Sequence, residues 1–429
     1  MKKFIGKRAV VAALAAFMLL TGCSKSAPSE KPLKNDPLVK TEIDLSKVST
    51  QKYDETKMND GYGEFTFKML QMTAANAQKS NIMISPASLM MALDMCAAGA
   101  KEETLKQLND LFAKDTDPLE QQAFASDLMK RINNARKVDF ACANAVWNNE
   151  NVLGDKVNSS YIEYIRKTFD ADFRSVKFDN NTHNVINKWV DEKTKHMIPT
   201  LFSEPFNSKT AMVLVNAIRF EAQWKNGYQD GQISKRAFDG TEGKQTVTML
   251  SSTENGYFST VDATGFIKYY EGEEYAFVAI LPNDRNISAN DFLKKFTYDD
   301  YKKFIKSRTG EEVITMMPEF KSDFTMEPAE YLKALGAKDA FDPDHANFKG
   351  IAETHPKNIY ISRVIHKTHI EVDSKGTKAA AATGITLEEN AAMPAEQPKE
   401  VICDRPYVYA IVDTLTMNPI FIGTVNNVE

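Results

Sequence analysis

The sequence predicts an α+β fold. Three observations carry that prediction. Helical periodicity is concentrated in the first half, apolar strand-like runs dominate beyond about residue 210, and few polar loop stretches interrupt residues 60–429. Taking the elements in order, Tyr62, Phe65, Met69 and Met72 form a helical stripe. Ser85 reads as an N-cap with Pro86 at the first helical position. Leu89, Leu93, Cys96 and Ala97 make that helix's buried face, and Gly99 marks its end. Helical patterns follow at 101–112, 119–135, 160–168 and 184–196. The later runs MVLVNAIRF, YAFVAILP, VITMMPEF, NIYISRVIH and PIFIGTV are apolar and bounded by turn residues, as strands are. Helices first and strands later favour one large domain.

The chain has 429 residues, 26% of them charged, which is enough for a sizeable core. A formal net charge of −5 gives no basic face, so nucleic acid is not expected as a partner. Lys2, Lys3, Lys7 and Arg8 precede an apolar stretch from Ala9 to Leu20 that is too short to span a bilayer comfortably. Leu20-Thr21-Gly22-Cys23 then resembles a bacterial lipobox. Residues 1–22 therefore read as a lipoprotein signal peptide, with lipid attached to Cys23 after cleavage. Residues 23–58 are polar and contain proline, the composition of a flexible tether. Residues 59–429 are the folded domain. Ser24 after the lipidated cysteine favours sorting to the outer membrane. The expected location is the cell envelope, on the periplasmic or surface side, held to the membrane through the lipid.

Cys96, Cys142 and Cys403 remain after processing. Their odd number and scattered spacing give no disulfide framework, and their apolar settings read as packing. The sequence has no G-x-S-x-G elbow, no H-E-x-x-H and no phosphate-binding G-x-x-x-x-G-K-[ST] loop. His366 and His369 are three apart on a strand, so they face opposite sides and do not chelate one ion together. No catalytic residue, metal site or cofactor is expected, and the chain does not read as an enzyme.

The most informative segment lies about fifty residues from the C-terminus. Ile370 and Val372 alternate with Glu371 and Asp373 as a strand does, and GTKAAAATGITLEENAAMPAEQPKE follows. Read as a strand, Thr377, Ala379, Ala381, Thr383, Ile385 and Leu387 share an uncharged side. Lys378, Ala380, Ala382, Gly384, Thr386 and Glu388 share the other side, which carries both charges. An exposed loop does not need that division, whereas a segment later buried as a strand does.

Gly376-Thr377-Lys378-Ala379-Ala380-Ala381-Ala382-Thr383 resembles the hinge of the reactive loop in serpins. Asn81-Ile82-Met83-Ile84-Ser85-Pro86-Ala87-Ser88, Phe140-Ala141-Cys142-Ala143-Asn144-Ala145 and Ile186-Asn187-Lys188-Trp189-Val190 resemble further motifs of that family. So do Val213-Leu214-Val215-Asn216-Ala217-Ile218-Arg219-Phe220 through Trp224, Asp404-Arg405-Pro406-Tyr407 and Phe421-Ile422-Gly423. They stand in the family's order over roughly residues 60–427. The resemblance implies a serpin domain at 59–429. It also implies a large mixed or antiparallel main sheet, two smaller sheets, about nine helices and an exposed reactive loop near the C-terminus.

By the same resemblance, Ser85, Ser88, Asn216 and His366 cluster where the main sheet opens, and Trp224 lies near the top of that opening. The implied activity is suicide inhibition of serine endopeptidases by a monomer. A protease cuts the loop and forms an acyl-enzyme, and the cut end then inserts as a new strand. Gly376 is expected to turn the chain at the hinge, and Thr377 to insert first. Ala379, Ala380, Ala381, Ala382 and Thr383 are expected to follow at little steric cost. The family's usual spacing places the reactive bond at Asn390-Ala391, while a loop about five residues longer than usual leaves Glu389, Ala392 and Met393 as alternatives. Small side chains there favour elastase- or subtilisin-like targets, and papain-like cysteine proteases remain open. The rival reading is a non-inhibitory serpin scaffold that is a protease substrate or binds a partner. Ser374 stands where the family often has glutamate.

Overall fold

The computed structural model describes residues 42–154, 156–207, 209–354, 358–377 and 398–428, without the side chains of 141–143. The lipidation site Cys23 and the loop residues Ala379–Thr383 and Glu389–Met393 lie outside the described residues.

The elements run α1 (Glu55–Asn76), β1 (Met83–Ile84), α2 (Pro86–Ala97), α3 (Glu102–Asp110), α4 (Pro118–Asn133), β2 (Val138–Asn149), α5 (Ser159–Phe169), β3 (Asp172–Val176), α6 (Thr182–Lys193) and β4 (Met212–Gln223). There follow β5 (Ile233–Gly240), β6 (Gly243–Ser259), β7 (Ala263–Tyr269), β8 (Tyr275–Pro282), α7 (Ala289–Leu293), α8 (Tyr298–Lys306), β9 (Thr309–Pro318), β10 (Phe320–Met326) and α9 (Ala329–Leu335). The chain closes with β11 (His366–Val372), β12 (Gly376–Thr377), β13 (Lys399–Ile402), β14 (Tyr407–Asp413) and β15 (Pro419–Val425). The expected α+β class holds, and the helical patterns at 101–135 and 160–196 fall on α3 to α6.

Two sheets form among the described residues. The six-stranded sheet has the order β10-β11-β12-β4-β2-β3. The nine-stranded sheet has the order β1-β15-β14-β8-β7-β6-β9-β13, with β5 paired to β6. The two smaller sheets are continuous through β6, which runs 17 residues and pairs in turn with β5, β9 and β7. The second sheet packs dry. β8, β14 and β15 are buried at every residue, so they read in sequence as unbroken apolar runs rather than alternations. In the six-stranded sheet, α2 packs against β4 from one side. Trp147, Ile186, Trp189, Val190, Val215 and Ala217 form a separate apolar cluster that seats α6 on the other.

Two elements differ from expectation. Only His366 of NIYISRVIH is in a strand. Ile359 and Ile361 are buried while Tyr360 and Ser362 face solvent, so the apolar alternation is present, but among the described residues no strand pairs with this stretch. Alternation records burial, and a strand also needs a ladder partner. The tether expected over 23–58 is also partly structured. Leu45–Thr50 forms a 3-10 turn capped by Asp44, Val48 is 4% exposed within the core, and α1 already begins at Glu55. Polar composition hid a short anchor made by Ile43, Leu45, Val48 and Tyr53.

Candidate functional site

The register of the six-stranded sheet defines the site. β12 is antiparallel to both its neighbours, with Thr377 opposite Val372 of β11 and Ala222 of β4. β11 and β4 therefore run parallel to each other, and among the described residues only the two residues of β12 hydrogen-bond them together. Below β12 the two strands are neighbours without a ladder. The sheet thus has a seam between two parallel strands, tied across at its β12 end.

Polar side chains close the lower part of the seam. Ser85 caps α2, with its Oγ accepting from the Ser88 N–H at 3.2 Å and donating to the Ile420 carbonyl at 2.9 Å. The Ser85 N–H donates to His366 Nε2 at 3.0 Å. Ser88 Oγ donates to Asn216 Oδ1, and Asn216 Nδ2 donates to Asn144 Oδ1 at 2.6 Å. Asn144 Nδ2 then donates to the Phe169 carbonyl at 2.7 Å. All five side chains are buried. Burial drives the His366 imidazole down to about 3, so at neutral pH it is uncharged and its Nε2 is free to accept. A cleft lined by Ser88, Leu89, Leu214, Asn216, Ile365 and His366 opens beside these groups. His369 points to the opposite face and meets Asp323 at 2.8 Å, as the three-residue spacing requires.

The hinge sits at the other end of the seam. Trp224 is not part of the polar cluster, because it lies eight residues beyond Asn216, roughly 26 Å along an extended chain. Trp224 instead grips the turn between β11 and β12. Its Nε1 donates to the Asp373 carbonyl at 2.9 Å and its N–H to the Lys375 carbonyl at 2.9 Å. Tyr228 N–H donates to the Ser374 carbonyl, and the Ser374 N–H donates to Glu319 Oε1 at 3.1 Å. Glu319 thus supplies a carboxylate tie at the hinge although residue 374 is serine. Tyr270 stacks on Trp224, with ring centroids 4.5 Å apart, and its hydroxyl lies 2.7 Å from Thr377 Oγ1 in a hydrogen bond. Behind the stack, the Lys268 ammonium lies 4.4 Å from the Tyr228 ring centroid and pairs with Glu254 at 2.5 Å. Burial lowers the Lys268 ammonium, and Glu254 opposes that shift.

Three expectations about the hinge need correction or extension. Thr377 is not waiting outside the sheet but is fully buried within it. Gly376 does not serve through a left-handed turn. A Cβ there would lie 2.1 Å from the Ala222 carbonyl oxygen, so the residue must be glycine because β4 comes so close. Asn144 and Tyr270 complete the cluster and the hinge, and neither was singled out from sequence. Asn144 stands inside an apolar strand run much as Asn216 does, so a search for every such residue finds it. Cys96 and Cys403 are buried and unpaired, with the Cys96 thiol pushed up to about 12 by burial. Among the described residues no group of three or more His, Cys, Asp or Glu could hold a metal.

The arrangement is that of an α+β protein whose six-stranded sheet has two parallel neighbouring strands tied at one end by β12 and at the other through buried polar side chains. The family model for serpins (serine protease inhibitors) matches residues 60–428, and the chain belongs to that family. An uncharacterised serpin-like protein of Methanosarcina acetivorans is 30% identical, over 89% of this chain and 88% of its own. The crystal structure of a thermophilic serpin, tengpin, in its native state is 35% identical with a TM-score of 0.79, covering 88% of this chain and 96% of that one. Human thyroxine-binding globulin, solved with thyroxine bound, is 22% identical with a TM-score of 0.77 over 86% of this chain and 98% of that one, a likeness of fold alone.

Proposed function

We propose that this chain inhibits serine endopeptidases by inserting its cleaved reactive loop into the seam between β11 and β4. The pairing of Thr377 with Val372 and Ala222 carries the reading. Each residue added to β12 moves one residue back along both neighbours. Continued in that register, Ala379, Ala381 and Thr383 lie opposite Ile370, Thr368 and His366 of β11, and opposite Phe220, Ile218 and Asn216 of β4. Those partners, Asn216 included, are all buried and form one face of the sheet. The loop's uncharged side therefore turns inward, where a charge would be costly to bury. Thr383 arrives between His366 and Asn216 and brings a hydroxyl to the groups whose bonds must be exchanged as the sheet opens.

The loop lacks Arg and Lys from 379 to 398 and has small residues near Asn390-Ala391, which favours elastase- or subtilisin-like targets. The N-terminal pattern around Cys23 supports a lipid-anchored inhibitor in the cell envelope. Melting curves before and after the loop is nicked test the insertion, together with denaturing gels after incubation with elastase. Nicked protein is expected to melt tens of degrees higher, and a covalent adduct is expected on the gel. Equal melting temperatures with quantitative loop cleavage and no adduct would establish a substrate or scaffold instead.

A further inference from the structure

α2, α4 and α5 meet around a buried polar group that neither the seam nor the hinge uses. Asp94 interrupts the apolar run of α2 and is 1% exposed. Its carboxyl meets two neutral amides of α4. Gln121 Nε2 lies 3.4 Å from Oδ2, and Gln122 Nε2 lies 3.3 Å from Oδ1. Both glutamines are buried as well. Gln122 is fixed in its orientation, because its Nε2 also donates to the Asp94 carbonyl at 3.1 Å and its Oε1 accepts from the Tyr164 hydroxyl of α5 at 2.6 Å.

Among the described residues no cation reaches this carboxyl. β15 has no ionisable side chain, and Arg219 and Glu221 of β4 bond each other on the side where Val215 and Ala217 seat α6. Lys68 of α1 pairs with Glu64, Lys106 of α3 with Asp110, and Lys130 and Arg131 of α4 with Asp127 and Asp413. The ionisable groups that do face Asp94 are the Cys96 thiol and the Tyr164 hydroxyl, both held neutral by burial. An ionised carboxylate here would have two long bonds from neutral donors and nothing else to offset its lost water. A neutral acid costs far less to bury and needs one acceptor for its proton. Gln121 supplies it by turning its amide end over, which brings Oε1 to Asp94 Oδ2 in place of Nε2.

We propose that Asp94 is a proton-holding clasp, a neutral carboxylic acid in the folded protein that joins α2 to α4 and loosens when alkali removes its proton. The clasp is independent of how the loop behaves. It holds the helix that presents Ser85 and Ser88 to the seam. Burial drives the Asp94 carboxyl well above its ordinary 3.8. The stability it contributes is therefore full below about pH 3.8 and is lost as pH rises toward the folded value. His366 acts in the opposite sense, so substitution is needed to separate the two.

The test compares melts of the full chain across pH. Asp94→Asn replaces the neutral acid with an amide of the same shape. It is expected to melt with the parent near pH 4 and several degrees above it at about pH 8, the gap widening with pH. Infrared difference spectra between parent and variant at neutral pH should show the carbonyl stretch of one protonated carboxylic acid. In the parent alone that band should vanish on heat unfolding at the same pH, a reading that needs no folded variant. A melting difference that is the same at every pH would overturn the proposal, as would a neutral-pH spectrum of the parent without the acid band.

Discussion

The two sheets of this molecule are closed in different ways. β8, β14 and β15 pair along their lengths and are buried at every residue, with Phe277 stacked on Tyr409 at 5.9 Å between ring centroids. β11 and β4 are joined by two residues of β12 and a chain of small polar side chains. Apolar packing is non-directional and has no better partner to move to, so it suits a sheet that stays shut. A hydrogen bond contributes little net energy when a replacement partner arrives, and much more when none does. The polar seam is therefore firm at rest, and under the insertion proposed above it would be open to exchange with an incoming strand.

The widest test of this contrast is Thr377→Arg. Thr377 is fully buried and bonded to Tyr270. A cation there should lower the melting temperature of the intact protein and abolish covalent complexes, every cut loop releasing active protease. A persistent adduct on denaturing gels would break the distinction between seam and core. Next in size, Phe277→Ala in the dry sheet should cost about 3–5 kcal/mol. Denaturant titration should show that loss equally in intact and nicked protein, because insertion leaves that sheet alone.

Acid should attack the seam selectively. The His366 imidazole is held near 3 in the folded protein against an ordinary 6.5, so the unfolded chain binds the extra proton between those values. Stability is therefore full above about pH 6.5 and falls on acidification, by about 1.4 kcal/mol per pH unit from this group. His366→Gln should flatten that slope in melts taken across the window. Asn216→Ala should cost the intact form about 1–3 kcal/mol, because the Ser88 hydroxyl and Asn144 Oδ1 lose their partner. The nicked form should lose less, since Thr383 arrives beside the gap. At the small end, Lys68→Ala removes an exposed pair with Glu64 and should change stability by roughly 0.5 kcal/mol or less.

Much of the dry sheet was legible because YAFVAILP and PIFIGTV are unbroken apolar runs between turn residues. The seam was legible only through the serpin resemblance, which brought Ser85, Ser88, Asn216 and His366 together; as polar residues in apolar runs they read singly as hydrogen-bonded core groups. The uncharged side of the loop was legible as the side to be buried, and the buried pairing of Thr377 with Val372 and Ala222 agrees with it at the one residue of that side the structure describes. Sequence alone could not explain Gly376, whose constraint is the carbonyl of Ala222, a residue more than one hundred and fifty positions away in the chain. Tyr270 was hidden for a similar reason. A buried tyrosine reads as core until its hydroxyl is seen to meet Thr377.

The link from β11 to β12 is three residues long, Asp373 to Lys375. Its length works as a parity setting. If the cut loop inserts as proposed, removing one residue would exchange its two sides, so the side carrying Lys378 and Glu388 would be the one to be buried. An otherwise unaltered loop would then fail to insert for want of a single peptide unit in the turn.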